Sequence, residues 1–202
     1  MSDDRPEMTR TVLVPESITL TVVSDEPPIP QIPLSLSAIV ETIAAVPDGN
    51  IVRLLAPAWA EIAKVLKHDA TALSSLSSRQ WEELVAAAYD RAGYDEVILT
   101  PRSGDLGRDV IAIKTGWGSI RIIDQVKAYK PGHKVTANDV RALLGVLQAD
   151  QKATKGIVTT TSDFAPGIAS DPFISPFVPY RLELIDGVHL IDRLRSLSEN
   201  AL

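Results

Sequence analysis

The chain contains no cysteine, which excludes disulfides, thiolate metal sites and a cysteine nucleophile and fits a reducing cytoplasm. It has no run of about 18 apolar residues, so a membrane span is not expected. The opening residues, Met1-Ser2-Asp3-Asp4-Arg5, are polar and acidic and do not look like a secretory signal. The three histidines, His68, His133 and His189, are scattered without metal-ligand spacing. Also missing are a Gly-x-Ser-x-Gly elbow, a phosphate loop ending in Gly-Lys-Ser/Thr and a His-Glu-x-x-His pair. There is no internal repeat and no low-complexity tract.

What remains is a 202-residue chain, 45% apolar, large enough for one core with an appendage. Its net charge of −6 speaks against a polyanionic partner until its distribution is examined. Residues 1–70 hold 5 Lys+Arg against 10 Asp+Glu, and residues 71–202 hold 15 against 16. Between 102 and 134 the balance reverses. Seven basic residues (Arg102, Arg108, Lys114, Arg121, Lys127, Lys130, Lys134) face three acids, Asp105, Asp109 and Asp124. A solvated, charged hairpin would show the same excess.

Two β-like runs, Thr11–Val14 and Ile18–Val23, precede a proline-rich patch over 27–33 that cannot be regular helix. Residues 36–46 and 52–67 read as helices, and 70–78 as a linker or tight connection. From Ser77 the pattern sharpens. Ser77 and Gln80 have capping-box spacing, and Trp81, Leu84, Val85, Ala88 and Ala92 mark one helix face that Gly93 ends. Strands are expected at 96–100, 109–114, 119–127, 156–161 and 181–185, the second and third forming a hairpin. Helices are expected at 136–147 and 188–197, with a short one over 162–170. The order predicts a mixed α/β sheet flanked by helices, with residues 1–70 as an N-terminal region and 71–202 as the main domain.

The hairpin carries the chemistry. Alternation along a strand sends Ile120, Ile122, Asp124 and Val126 to one face and Arg121, Ile123, Gln125 and Lys127 to the other. Asp109 and Gln125 lie at similar distances from the hairpin centre, so pairing brings Asp109 opposite the Gln125–Lys127 end. A hard cation such as Mg²⁺ prefers oxygen ligands and keeps several waters, so Asp109, the Gln125 amide and the Val126 carbonyl can suffice. Such an ion acidifies water and offsets charge on a phosphorane, and Lys127 would orient the attacking water. By spacing alone, the same pattern also suits a polar strand end at a sheet edge and a turn acid after glycine.

Five ordered segments extend the pattern over about 120 residues. They are Trp81-Glu82-Glu83-Leu84-Val85 with Ala92-Gly93-Tyr94, Ser103 through Val110, Asp124-Gln125-Val126-Lys127, Lys155 through Thr161, and Leu184 through Leu190. Together they make residues 76–195 resemble the Mrr-type restriction endonuclease catalytic domain, a branch of the PD-(D/E)xK nucleases. The glutamine stands where that superfamily usually has an acid. The resemblance implies a restriction-endonuclease-like fold and a Mg²⁺-dependent DNA endonuclease, with Mn²⁺ as a substitute ion. Asp109, Gln125 and Lys127 form its core, and Glu82 joins them at the helix-borne acidic position. An acid in a first helical turn is also favoured by the helix dipole alone. Arg102, Arg108, Lys130 and Lys134 are the candidate DNA contacts, and a homodimer is expected because one site cuts one strand. A non-catalytic DNA- or protein-binding module, and a repair or RNA nuclease on the same scaffold, remain alternatives at this point.

Overall fold

The computed structural model describes residues 38–102 and 107–199, which belong to one compact unit. The runs at Thr11–Val14 and Ile18–Val23, the proline-rich patch and Asp105 lie outside the described residues.

Among the described residues, seven strands form one sheet in sequence order: β1 (Val40–Val46), β2 (Gly49–Leu54), β3 (Glu96–Leu99), β4 (Val110–Lys114), β5 (Ile120–Lys127), β6 (Lys155–Thr160) and β7 (Leu182–Ile185). The ladders from β1 to β5 are antiparallel, and β5, β6 and β7 run parallel. Helices α1 (Ala56–His68), α2 (Ser78–Arg91) and α4 (Gly187–Glu199) cover one face, where Trp59, Leu84 and Leu194 pack with Val110, Ile122 and Val126. Helix α3 (Ala137–Ala149) covers the other, where Leu143 and Leu147 meet Ile123 and Val158. This is the mixed, helix-flanked sheet that the periodicity predicts.

The two faces follow from β5. Ile122 and Val126 enter the α2 core, whereas Ile123 enters the α3 core, so the alternation read from the sequence holds residue by residue. Helix α2 starts where the capping box sets it. Ser77 Oγ accepts from the Gln80 N–H and Gln80 Oε1 from the Ser77 N–H, satisfying two donors that the first turn leaves open. Thr136 and Asp139 cap α3 in the same reciprocal way.

The N-terminal elements differ from the sequence expectation. Residues 40–46 are a strand rather than a helix, and β2 takes the first residues of the segment read as a helix over 52–67. Ile39, Val40 and Ile43 fit a helical spacing, but Val40, Thr42, Ile43 and Val46 are β-branched and lose little in extended backbone. The turn Pro47-Asp48-Gly49 then folds β1 back on β2. Gly49 has φ +149°, and a Cβ there would lie 2.5 Å from the Leu99 carbonyl oxygen, so this turn is pressed against the end of β3. Because β2 pairs with β3 and Ile39, Val52, Trp59, Ile62 and Leu66 share one core with Trp81 and Leu84, the sheet and its core run through residue 70 without a break. Residues 70–75 form a 3₁₀ turn anchored by buried Leu73. Over 162–170 only a 3₁₀ turn at Ile168–Ser170 forms.

Candidate active site

The β4–β5 ladder places the hairpin's polar ends together. Val110 pairs with Asp124 at the last step of the antiparallel register, and Asp109, the residue before β4, lies at that end of the ladder. The Asp109 main chain is held on both sides: its N–H donates to Asp124 O at 3.0 Å, and its carbonyl accepts from Thr100 N–H at 3.1 Å. Its Oδ2 accepts the Val126 N–H at 2.7 Å. Asp109 and Val126 are therefore in direct contact, and the Val126 side chain is buried on the α2 side.

Gln125 supplies the most telling atom. The residue is 8% exposed, and its Oε1 is buried with no hydrogen-bond partner among the described residues. Leaving such an acceptor dry costs about 1–3 kcal/mol, so a site of this kind calls for an electropositive occupant. Gly107, at φ +76°, passes close by; a Cβ there would stand 3.2 Å from Gln125 Nε2. Asp109 and Gln125 together present one carboxylate and one amide, a hard-oxygen donor set that fits Mg²⁺ better than a softer metal. Among the described residues, no group of three or more His, Cys, Asp or Glu could hold a metal ion.

Lys127 leaves the sheet one pleat beyond Gln125 on the same face, with its Nζ 3.9 Å from Asp139 Oδ1 at the start of α3. Its carbonyl accepts from Tyr129 N–H, Thr161 N–H and Thr160 Oγ1, which fixes the end of β5. Glu82 lies on α2, the helix on the opposite face, and among the described residues no hydrogen bond or ion pair joins it directly to Asp109, Gln125 or Lys127. Its Oε2 pairs with Arg79 Nη1 at 2.7 Å, and the same Nη1 donates to Thr100 O at 3.0 Å. A chain of contacts thus runs from Glu82 through Arg79 and Thr100 to the Asp109 main chain.

Asp124 turns to the α2 face beneath this site and is 1% exposed. Tyr89 Oη and Thr159 Oγ1 donate to its Oδ2 at 2.8 and 3.0 Å, while its Oδ1 has no partner among the described residues. Burial raises its pKa to about 7, with the charge of Asp109 acting in the same direction against the two hydrogen bonds. Burial and the neighbouring Asp124 likewise push the Tyr89 phenol well above its ordinary value.

The four basic residues singled out from the sequence occupy different settings. Arg102, Lys130 and Lys134 are exposed, the last two on the loop joining β5 to α3. Arg108 is engaged by Asp48 at 3.4 Å and Asp150 at 3.7 Å, and Arg121 shares both acids at 3.0 and 3.2 Å. Arg79, Asp124 and Asp139 escape a sequence reading. Asp139 did leave a trace, because Thr136-x-x-Asp139 has the spacing of a capping box.

Part of the chain is similar to two solved structures. One is described as the MspJI restriction endonuclease in complex with a 27-mer oligonucleotide, at 21% identity and TM-score 0.43 over 72% of this chain and 32% of that one. The other, described as the DNA modification-dependent restriction endonuclease AspBHI, gives 17% identity and TM-score 0.46 over 70% of this chain and 36% of that one. The chain spans about a third of the length of each. No curated protein matches it. Residues 73–194, more than half of the chain, match the Mrr catalytic-domain profile, described as restriction endonuclease, and the chain belongs to that family.

Proposed function

We propose that the protein is a Mg²⁺-dependent DNA endonuclease that hydrolyses phosphodiester bonds in restriction of foreign or modified DNA. The observation carrying this reading is the buried Gln125 Oε1, without a hydrogen-bond partner among the described residues, at the end of β5 where Asp109 Oδ2 accepts the Val126 N–H and Lys127 leaves on the same face as Gln125. Family membership supports the nuclease assignment.

Asp109, Gln125 and the Val126 carbonyl are the oxygen donors that would hold the cation, with Mn²⁺ as a substitute. When bound, a divalent ion lowers the pKa of a coordinated water and offsets charge developing on phosphorus. Lys127 orients the attacking water and stabilises the non-bridging oxygens of the transition state. Glu82, steadied by Arg79, assists from α2. The exposed Arg102, Lys130 and Lys134 bind the DNA backbone, whereas Arg108 could do so only by giving up Asp48 and Asp150. A double-strand break needs two such sites, and hence a homodimer.

The test is plasmid cleavage with Mg²⁺ by the parent protein, Asp109→Asn and Lys127→Ala. Asparagine keeps an acceptor for the Val126 N–H, so the first variant should fold as the parent does. Both variants should lose cleavage while melting close to the parent. Plasmid that is bound but uncut by all three proteins would replace the enzyme with a binding module. Preferential cleavage of RNA in competition would change the substrate.

A further inference from the structure

We propose that Asp139, the acidic member of the α3 capping box, is a positioning residue that fixes the Lys127 ammonium at the reaction centre. This inference rests on Lys127 being the catalytic lysine.

The two carboxylate oxygens of Asp139 do separate jobs. Oδ2 accepts from the Thr136 N–H at 2.9 Å and from Thr136 Oγ1 at 2.6 Å, which pins the carboxylate at the helix start. Oδ1 faces Lys127 Nζ at 3.9 Å. The side chains of Lys127 and Asp139 are only 23% and 26% exposed, so solvent screens their attraction incompletely. A capping acid needs one oxygen; the second is left to act as a fixed counter-charge.

A lysine needs one. Its flexible four-carbon stem samples many rotamers, and an ammonium that wanders is a poor orienting group. The Lys127 carbonyl is already tied by Tyr129, Thr160 and Thr161, so the side chain is what remains to be held. At 3.9 Å the contact is longer than a hydrogen bond. Attraction therefore holds the ammonium in place while its three N–H donors stay available to water and phosphate oxygen. Asp139 acts from behind the reacting group, as supporting residues do in preorganised sites.

Three variants of the full chain separate this role from helix capping. Asp139→Asn keeps an acceptor for the Thr136 N–H and removes the charge, Asp139→Glu keeps the charge, and Thr136→Ala weakens the cap while sparing it. Asp139→Asn is expected to lower kcat about tenfold with DNA affinity and melting temperature near the parental values. Asp139→Glu should recover most of kcat, and Thr136→Ala should lower the melting temperature more than the rate. Parental kcat in Asp139→Asn, or rate losses that merely track melting temperature across the set, would overturn the proposal. A second readout needs no cleavage. The Lys127 ammonium resonance of ¹⁵N-labelled protein, assigned by its loss in Lys127→Arg, should stand apart from those of exposed lysines and join them in Asp139→Asn. An unchanged resonance would also overturn the proposal. If the parent cuts nothing while the resonance moves as expected, the nuclease reading fails and the tether stands.

Discussion

Replacing Asp124 by asparagine should make the protein more stable at pH 8 and leave it nearly unchanged at pH 4. The carboxyl is 1% exposed, one of its oxygens has no partner among the described residues, and its pKa is raised to about 7. In the unfolded chain an aspartate titrates near pH 4, so the difference of about three units corresponds to about 4 kcal/mol. The sign follows from proton binding. Between about pH 4 and 7 the folded state holds a proton that the unfolded state has released, so stability falls as pH rises through this window and levels off above the folded pKa. Asparagine is isosteric with the protonated acid, still accepts from Tyr89 and Thr159, and cannot ionise. Urea denaturation of both proteins at half-unit pH steps, in metal-free buffer, measures the effect. The difference between them cancels groups with lowered pKa, such as Asp186 and Glu183, which act the same way in each. The expected difference grows from near zero at pH 4 to about 4 kcal/mol at pH 8, with equal m-values. Parallel stability curves, or an asparagine variant weaker at every pH, would refute a carboxyl held protonated by burial.

Two further outcomes follow from the same geometry. Gln125→Glu sets a second carboxylate at the end of β5 that Asp109 contacts, so the metal-free protein should melt lower and regain stability as Mg²⁺ is added, with half-saturation about tenfold tighter than in the parent; a melting temperature indifferent to Mg²⁺ would show that this residue does not face the ion. Lys130→Ala and Lys134→Ala should each reduce the slope of log affinity for DNA against log salt by about 0.9, uniformly across DNA sequences, as measured by fluorescence anisotropy.

How much of this was legible in the sequence depends on the range of the interaction involved. Helix α2 could be placed from Ser77 and Gln80 because a capping box is complete within four residues, and the faces of β5 could be assigned because alternation is local. Asp109 could be brought to the Gln125–Lys127 end of β5 because a hairpin joins β4 to β5. β1 could not be recognised in the same way. Its Ile39–Val46 stretch fits either period, and the choice is made by β2 and by Gly49 lying against Leu99, about fifty residues away in sequence.

Charge shows the same division and alters the functional argument most. The window 102–134 contains seven basic residues, which suggests a strongly cationic surface around the site. In the folded chain, Arg108 and Arg121 lie between Asp48 and Asp150, Lys114 is 3.6 Å from Asp95, and Lys127 is 3.9 Å from Asp139. All four of these acids lie outside the window. Of the seven, Arg102, Lys130 and Lys134 are exposed, and no ion pair among the described residues holds them. A salt slope near −3 rather than −6 is therefore the electrostatic signature to expect, at about −0.9 per phosphate contact. A slope at the larger value would mean that the ion pairs open on DNA, with Arg108 released from Asp48 and Asp150 to reach a phosphate.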